Sequence, residues 1–419
     1  MSAFPPADLQ SALAPIFEEN FTARGELGAS VSVWRDGREI VRLAGGYQDR
    51  QRTHPWHAGT LALVYSATKG PAAACVLKCL WDASISLNAP VASVWPRFAL
   101  AGKAGITFAD VLSHRAGLSG LDQPSDVFDY PGVIRAIEEQ TPLWPVGDGH
   151  GYHPRTSGYI WDEIVRRLTG QPLGHYWRNF FGQPLGLDFW IGLPPKFLHT
   201  AAPLLAARTV PDGDLFLKAF AEKGSITNRS FNSPSGLFSV SSMNTPKART
   251  TSFPGFGGIG SAAALAHFYA MLAAGGEENG RSFMPPGAVA AMSTRLSNGF
   301  DRVLQLDTAF SAGFLQDPLT PAGEKSRSIF GPSKRAFGQV GAGGSFAFAD
   351  PDRRIGFGYV MNQMEPGVLP NAKSLLLIQR MSEVLDLEPE GFKERSPETP
   401  KPPDNRCKRQ HLEGGAGIA

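Results

Sequence analysis

The order of strand and helix signals constrains this chain of 419 residues more than any other feature. Both ends read as strands carrying one helix each, and the long middle reads as helix. Leu9, Leu13, Ile16, Phe17 and Phe21 recur at helical spacing and predict a helix over 7–24. GASVSVWRDG and REIVRLAGGYQD follow, two β-rich runs joined by the hairpin signal Asp36-Gly37. At the other end SFAFAD and IGFGYVMN alternate around Pro351-Asp352, and residues 375–385 form a last amphipathic helix. Between them, Ile160, Ile164 and Leu168 make a stripe with Thr156 or Ser157 as candidate cap and Gly170 as stop. Residues 262–274 read the same way, between Ser261 and Gly275. The economical closure is one antiparallel sheet built from both ends, flanked by helices, with a helical domain inserted: an α+β fold. The expected division is 1–75 with 290–387 as the α/β part and 76–289 as the helical part. Residues 388–419 are Pro-rich, charged and poor in large aliphatics, and are expected to be a mobile tail.

Composition excludes several classes. Forty Lys and Arg against 38 Asp and Glu leave a net charge of +2, with no basic stripe interleaved with aromatics, so no nucleic-acid partner is expected. No apolar run is long enough to cross a bilayer, and the first residues lack a basic segment followed by an apolar one. Three cysteines, Cys75, Cys79 and Cys407, are an odd set with no metal-ligand partners. Cys75 and Cys79 therefore read as small core residues in a reducing cytoplasm, with no metal and no cofactor expected.

The segment LALVYSATKGPAAACVLKCLW carries the chemistry. It holds the only S-x-x-K of the chain, Ser66 and Lys69, where a β-rich region hands over to a helix. Three residues is nearly one helical turn, so hydroxyl and amine share a face. A helix N-terminus also stabilises a developing oxyanion. Serine is a poor nucleophile until a base takes its proton, and an amine serves only when burial or nearby positive charge keeps it neutral. The plain alternative for Ser66 is a helix cap.

Three further segments stand in order behind it: ITFADVLSHRAGLSG, PVGDGHGYHPRTSGYIWDEIVRRLTG, and FGQVGAGGSFAFADPDRRIGFGYVMNQM. Together with Ser66-Ala67-Thr68-Lys69 they resemble the class C β-lactamase and penicillin-binding-protein fold, and within it the family VIII carboxylesterases. The resemblance runs from about residue 7 to 387. It implies an α/β domain beside a helical one, with the site in the cleft between them. Ser66 then matches the nucleophile, Lys69 the motif lysine, and Tyr152 the tyrosine opening the second motif. A tyrosine with a pKa near 10 acts as a base only when a cation lowers it, and Lys69 is the obvious source. The oxyanion donors implied are the N–H of Ser66 and one near Gly341 and Ala342.

The departures from the lactamase pattern are informative. The second motif reads Tyr152-His153-Pro154, without the asparagine that holds a lactam side chain. The third reads Gln339-Val340-Gly341 in place of Lys-Thr-Gly, and a neutral amide binds a carboxylate about half as strongly as a cation does. Neutral short-chain esters are therefore the expected substrates. The alternatives are a β-lactamase, a D-amino-acid peptidase or amidase, an acyltransferase, or a lapsed hydrolase used for binding. Trp144, His150 and His153 are placed at the cleft edge, and His114 at a helix–loop junction. No G-x-S-x-G supports a Ser-His-Asp triad. Gly255–Gly260 matches a dinucleotide fingerprint formally, but no strand precedes it, so a loop entering a helix is expected. The partner expected is a small-molecule ester; a homo-oligomer is left open.

Overall fold

A computed structural model describes residues 6–208 and 213–385, so the expected tail lies outside the described residues. The N-terminal helix α1 spans Pro6–Thr22 and leads into strands β1, Gly28–Arg35, and β2, Arg38–Gly46. Asp36 and Gly37 both have positive φ, 50° and 74°, which matches the twist of the strands they join. Short strands Ala62–Leu63 (β3), Phe189–Ile191 (β4) and Gly258–Gly260 (β5) form a second sheet in the order β3-β5-β4. A ribbon, Glu277–Glu278 (β6) and Arg281–Ser282 (β7), precedes Ser297–Asp301 (β8), Leu306–Phe310 (β9) and Leu315–Gln316 (β10). Phe337–Val340 (β11), Phe346–Asp350 (β12) and Ile355–Met361 (β13) complete the main sheet. Its order is β2-β1-β13-β12-β11-β10-β9-β8.

The two chain ends meet inside this sheet. Strand β1 pairs antiparallel with β13, from Ala29 opposite Met361 to Arg35 opposite Ile355. Both faces of β13 are covered, which is why it reads as a continuous apolar run. Gly356 and Gly358 point to one face, where the Ala-rich helix Ala262–Ala273 lies with its backbone on the strand. A Cβ on Gly356 would stand 2.2 Å from the Ala266 carbonyl oxygen. Phe357 and Tyr359 point the other way, and the Tyr359 hydroxyl donates to Glu26 at 2.8 Å beyond the end of α1. The last helix, Ala372–Val384, packs against α1 on that side. The result is an antiparallel sheet flanked by helices, as expected, with both end helices on one face and Ala262–Ala273, from the middle of the chain, on the other.

Two helices of the middle segment matter for the site. Helix α2, Lys69–Asp82, is buried along most of its length, with Cys75 and Cys79 free and inside the core. Helix α3, Thr156–Thr169, ends at Gly170 with φ 73°, a left-handed stop that glycine adopts without strain. Its start is not capped by Thr156 or Ser157. Those hydroxyls donate instead to the carbonyls of Leu118, at 2.6 Å, and His153, at 2.7 Å. They tie the helix to the loops that carry the motifs. The segment 255–260 differs from expectation in the same way, because residues 258–260 are strand β5. Glycine makes this fit: a Cβ at Gly258 would lie 2.5 Å from the Phe189 ring and 2.6 Å from Thr68 Oγ1. Close backbone packing, not phosphate binding, explains these glycines. No helix among the described residues is long and apolar enough to cross a membrane.

Candidate active site

Ser66 stands on a single 3-10 turn, Tyr65–Thr68, between β3 and α2. Tyr65 carries a positive φ of 44°, which costs a non-glycine residue on the order of 1–3 kcal/mol. The turn is held in that shape from outside. Thr68 Oγ1 donates to the Tyr65 carbonyl and accepts the Gly258 N–H at 2.7 Å. The Val64 N–H donates to the Gly258 carbonyl at 2.9 Å.

Lys69 opens α2 with its side chain fully buried. Its Nζ lies 3.2 Å from Ser66 Oγ, 2.9 Å from the Pro154 carbonyl and 2.6 Å from the Gly255 carbonyl. Burial pushes its pKa well below the usual lysine value. A neutral amine has two hydrogens and one lone pair. When the two carbonyls accept the hydrogens, the lone pair is left facing the serine hydroxyl.

Tyr152 completes the group. It lines the cleft with Ser66, and its ring centroid lies 4.7 Å from Lys69 Nζ. Lys69 does not draw it toward phenolate: burial dominates and pushes the Tyr152 pKa up. Burial therefore disfavours the charged form of both members of the pair. The Tyr152 backbone is fixed by Asp301, whose two carboxylate oxygens accept its N–H at 3.0 and 3.1 Å. Asp301 is buried and also accepts from Val303 N–H and Leu304 N–H, each at 2.9 Å, and from Thr308 Oγ1 at 3.0 Å.

Strand β11 passes beside the turn. Gln339 is buried and lines the cleft, and its Nε2 donates to the Gly313 carbonyl at 2.9 Å. Gly341 follows because nothing larger fits: a Cβ there would stand 2.0 Å from the Val64 carbonyl oxygen. The Gly341 N–H is committed to the Ser345 carbonyl at 2.7 Å, so it is not directed at a substrate. Ala342 lines the cleft beside Ser66.

The cleft has two lobes that meet at Ser66, Phe231, Ala342 and Val368. The smaller, about 490 Å³, is lined by Tyr152, Leu304, Thr308, Phe310, Leu315 and Gln339. The larger, about 1110 Å³, is lined by Tyr65, Pro154, Arg155 and a row of phenylalanines.

A family model described as Beta-lactamase matches residues 14–379. The chain belongs to the beta-lactamase family. Within it, the chain is 29% identical over 360 residues to the esterase/beta-lactamase LipL of Mycobacterium tuberculosis, covering 83% of this chain and 80% of that protein. The crystal structure of a penicillin-binding protein homologue from Caulobacter crescentus is 33% identical with a TM-score of 0.81, covering 92% of this chain and 99% of that one. That of a family VIII carboxylesterase is 31% identical with a TM-score of 0.80 and the same coverage.

The structure brings Ser66, Lys69, Tyr152, Gln339 and Ala342 of this family member to one cleft, and leaves the other expected residues behind it. Trp144 is buried, and its ring packs against Gly151 and His153. The ring of His153 accepts the Leu118 N–H at Nε2, 2.9 Å, and donates from Nδ1 to the Gly151 carbonyl, 2.7 Å. Burial lowers its pKa to about 3, so it is a neutral brace. His150 lies behind Thr308, 2.7 Å from its hydroxyl, and is likewise depressed by burial. All three are buried in the loop that precedes the helix Thr156–Thr169. His114, at φ 61°, packs its ring 4.9 Å from that of Tyr152 and is kept neutral by burial. None of these imidazoles is hydrogen-bonded to Ser66.

Two groups escaped the sequence reading. The Pro154 and Gly255 carbonyls hold Lys69, and a backbone carbonyl leaves no residue signature. Asp301 sits in SNGFD, and 149 residues separate it from the tyrosine it anchors.

Proposed function

We propose that this protein is a serine carboxylesterase in which Ser66 forms an acyl-enzyme and Lys69 and Tyr152 move the protons. The observation that carries the reading is the environment of Lys69 Nζ: buried, held by two carbonyls, and facing Ser66 Oγ at 3.2 Å. Ser66 Oγ attacks the ester carbonyl carbon as its proton passes to the Lys69 lone pair. The carbonyl oxygen becomes an oxyanion, held by the backbone N–H groups of Ser66 and Ala342. One such donor is worth on the order of 10²–10³ in rate. As the intermediate collapses, the Tyr152 hydroxyl protonates the departing alkoxide and is reprotonated from Lys69. Water then attacks the acyl carbon and gives a proton to the same pair, which returns it to Ser66 Oγ as the acyl–oxygen bond breaks and the acid is released. General acid–base transfer of this kind contributes about 10²–10⁴.

The substrates are neutral esters. Gln339 offers no charge, and one of its two amide N–H groups is already donated to Gly313. A carboxylate-bearing lactam would lose a charge-assisted bond there, roughly half of the interaction. The test is hydrolysis of p-nitrophenyl butyrate beside a chromogenic cephalosporin. The expected result is rapid ester cleavage with little cephalosporin turnover. Equal or faster cephalosporin turnover would restore the lactamase reading.

A further inference from the structure

The two lobes are not equivalent with respect to the proton donor. Tyr152 lines the smaller lobe, whereas Tyr65, Pro154 and Arg155 line the larger. On the proposed mechanism, the donor has to reach the oxygen that leaves. The alcohol part of an ester therefore occupies the smaller lobe, and its acyl part extends from Ser66 into the larger.

The larger lobe is built for rings. Phe216, Phe220, Phe231, Phe238 and Phe256 wall it. Phe231 meets Phe216 edge-on at 5.2 Å and Phe220 at 5.9 Å, so the cluster presents both faces and edges. Phe238 is 63% exposed and Phe220 38%, which leaves aromatic surface uncovered beside the nucleophile. The wall is also preformed. Among the described residues Arg155 has no carboxylate partner; it donates to the carbonyls of Pro234 (2.6 Å), Gly236 (2.7 Å) and Leu237 (3.2 Å). Its guanidinium stands over Phe238 at 5.4 Å and Phe256 at 5.6 Å. A braced wall spends little binding energy on ordering itself. A short linear acyl chain would leave most of these rings in water, whereas an aryl group would cover them in the edge and offset contacts that aromatic pairs favour.

We infer that the preferred substrates are esters of aryl-bearing carboxylic acids with small alcohols, the aryl acyl group lying among Phe216, Phe220, Phe231, Phe238 and Phe256. This inference rests on the esterase reading and on the assignment of Tyr152 as donor. The test uses the full chain and three esters: ethyl acetate, ethyl phenylacetate and benzyl acetate, followed by acid release. The expected kcat/KM for ethyl phenylacetate exceeds that for the other two by on the order of tenfold. Phe238→Ala and Phe220→Ala, both at exposed positions, should each lower the ratio of ethyl phenylacetate to ethyl acetate by about threefold or more. A preference for benzyl acetate, lost in the same variants, would place the alcohol in the large lobe and overturn the inference. Equal rates on ethyl acetate and ethyl phenylacetate would overturn it while leaving the esterase reading intact. Absence of any ester hydrolysis would overturn both.

Discussion

Asp301 is the side chain on which the position of Tyr152 depends most. Replacing it by alanine removes the acceptor of three buried backbone N–H groups, those of Tyr152, Val303 and Leu304, and of the Thr308 hydroxyl. Each buried donor left unpaired costs about 1–3 kcal/mol. Water entering the vacated space recovers part of this, and relief from burying a carboxylate recovers more, so a net loss of about 3 kcal/mol is expected. With roughly 2.1 cal/mol/K of unfolding entropy per residue, that loss lowers Tm by about 3 °C for a chain of 419 residues. The effect on rate is larger, because a displacement of about 1 Å in a reacting group costs on the order of 10²-fold. Asp301→Asn keeps the shape and one oxygen, so it should retain most of the stability and an intermediate kcat. The assay is kcat on p-nitrophenyl butyrate beside the thermal midpoint of each variant. Full kcat in Asp301→Ala at a lowered Tm would refute the reasoning, since Tyr152 would then hold its place without this anchor.

Two other predictions concern the same turn. Lys69 works as the neutral amine, so kcat/KM should be present above its depressed pKa and fall as pH drops through that value. Lys69→Arg cannot deprotonate, and should lose about 10²–10⁴ in kcat/KM at every pH; an active arginine variant with an unchanged profile would dismiss Lys69 as the base. Gly341→Ala places a methyl 2.0 Å from the Val64 carbonyl oxygen, where backbone has to yield. It should cost about 1–3 kcal/mol and displace the turn that carries Ser66, read as a lowered Tm and at least a tenfold lower kcat. Wild-type values for both would mean that β11 does not press on the nucleophile.

The fold was legible where local periodicity and global packing agree. The Asp36-Gly37 hairpin, the stripe of Ile160, Ile164 and Leu168, and the alternating run from Ser345 follow from spacing alone. Strand β5 was not legible, because Gly258–Gly260 has no strand propensity and pairs only because Phe189 and Thr68 leave room for nothing else. In the site, Ser66 and Lys69 were legible as neighbours on one turn. Tyr152 became legible through the resemblance of its flanking residues, not through any spacing. The imidazoles misled because a histidine in a Gly-rich loop reads the same whether it faces a cleft or braces the loop from behind. His153 does the second, with both ring nitrogens spent on backbone groups. Asp301 could not be found by pattern, since a lone acid on a strand is common and its partner lies far along the chain.

The central claim is that the ester's acyl group passes through Ser66. The most direct test is to mix the enzyme with excess p-nitrophenyl ester, quench in acid during the first turnovers, and locate the adduct by peptide mass spectrometry. The account predicts an added acyl mass on the peptide containing Ser66, approaching one per chain when deacylation is slow, and no adduct or turnover in Ser66→Ala. An acyl group on another residue, or undiminished turnover in Ser66→Ala, would contradict it.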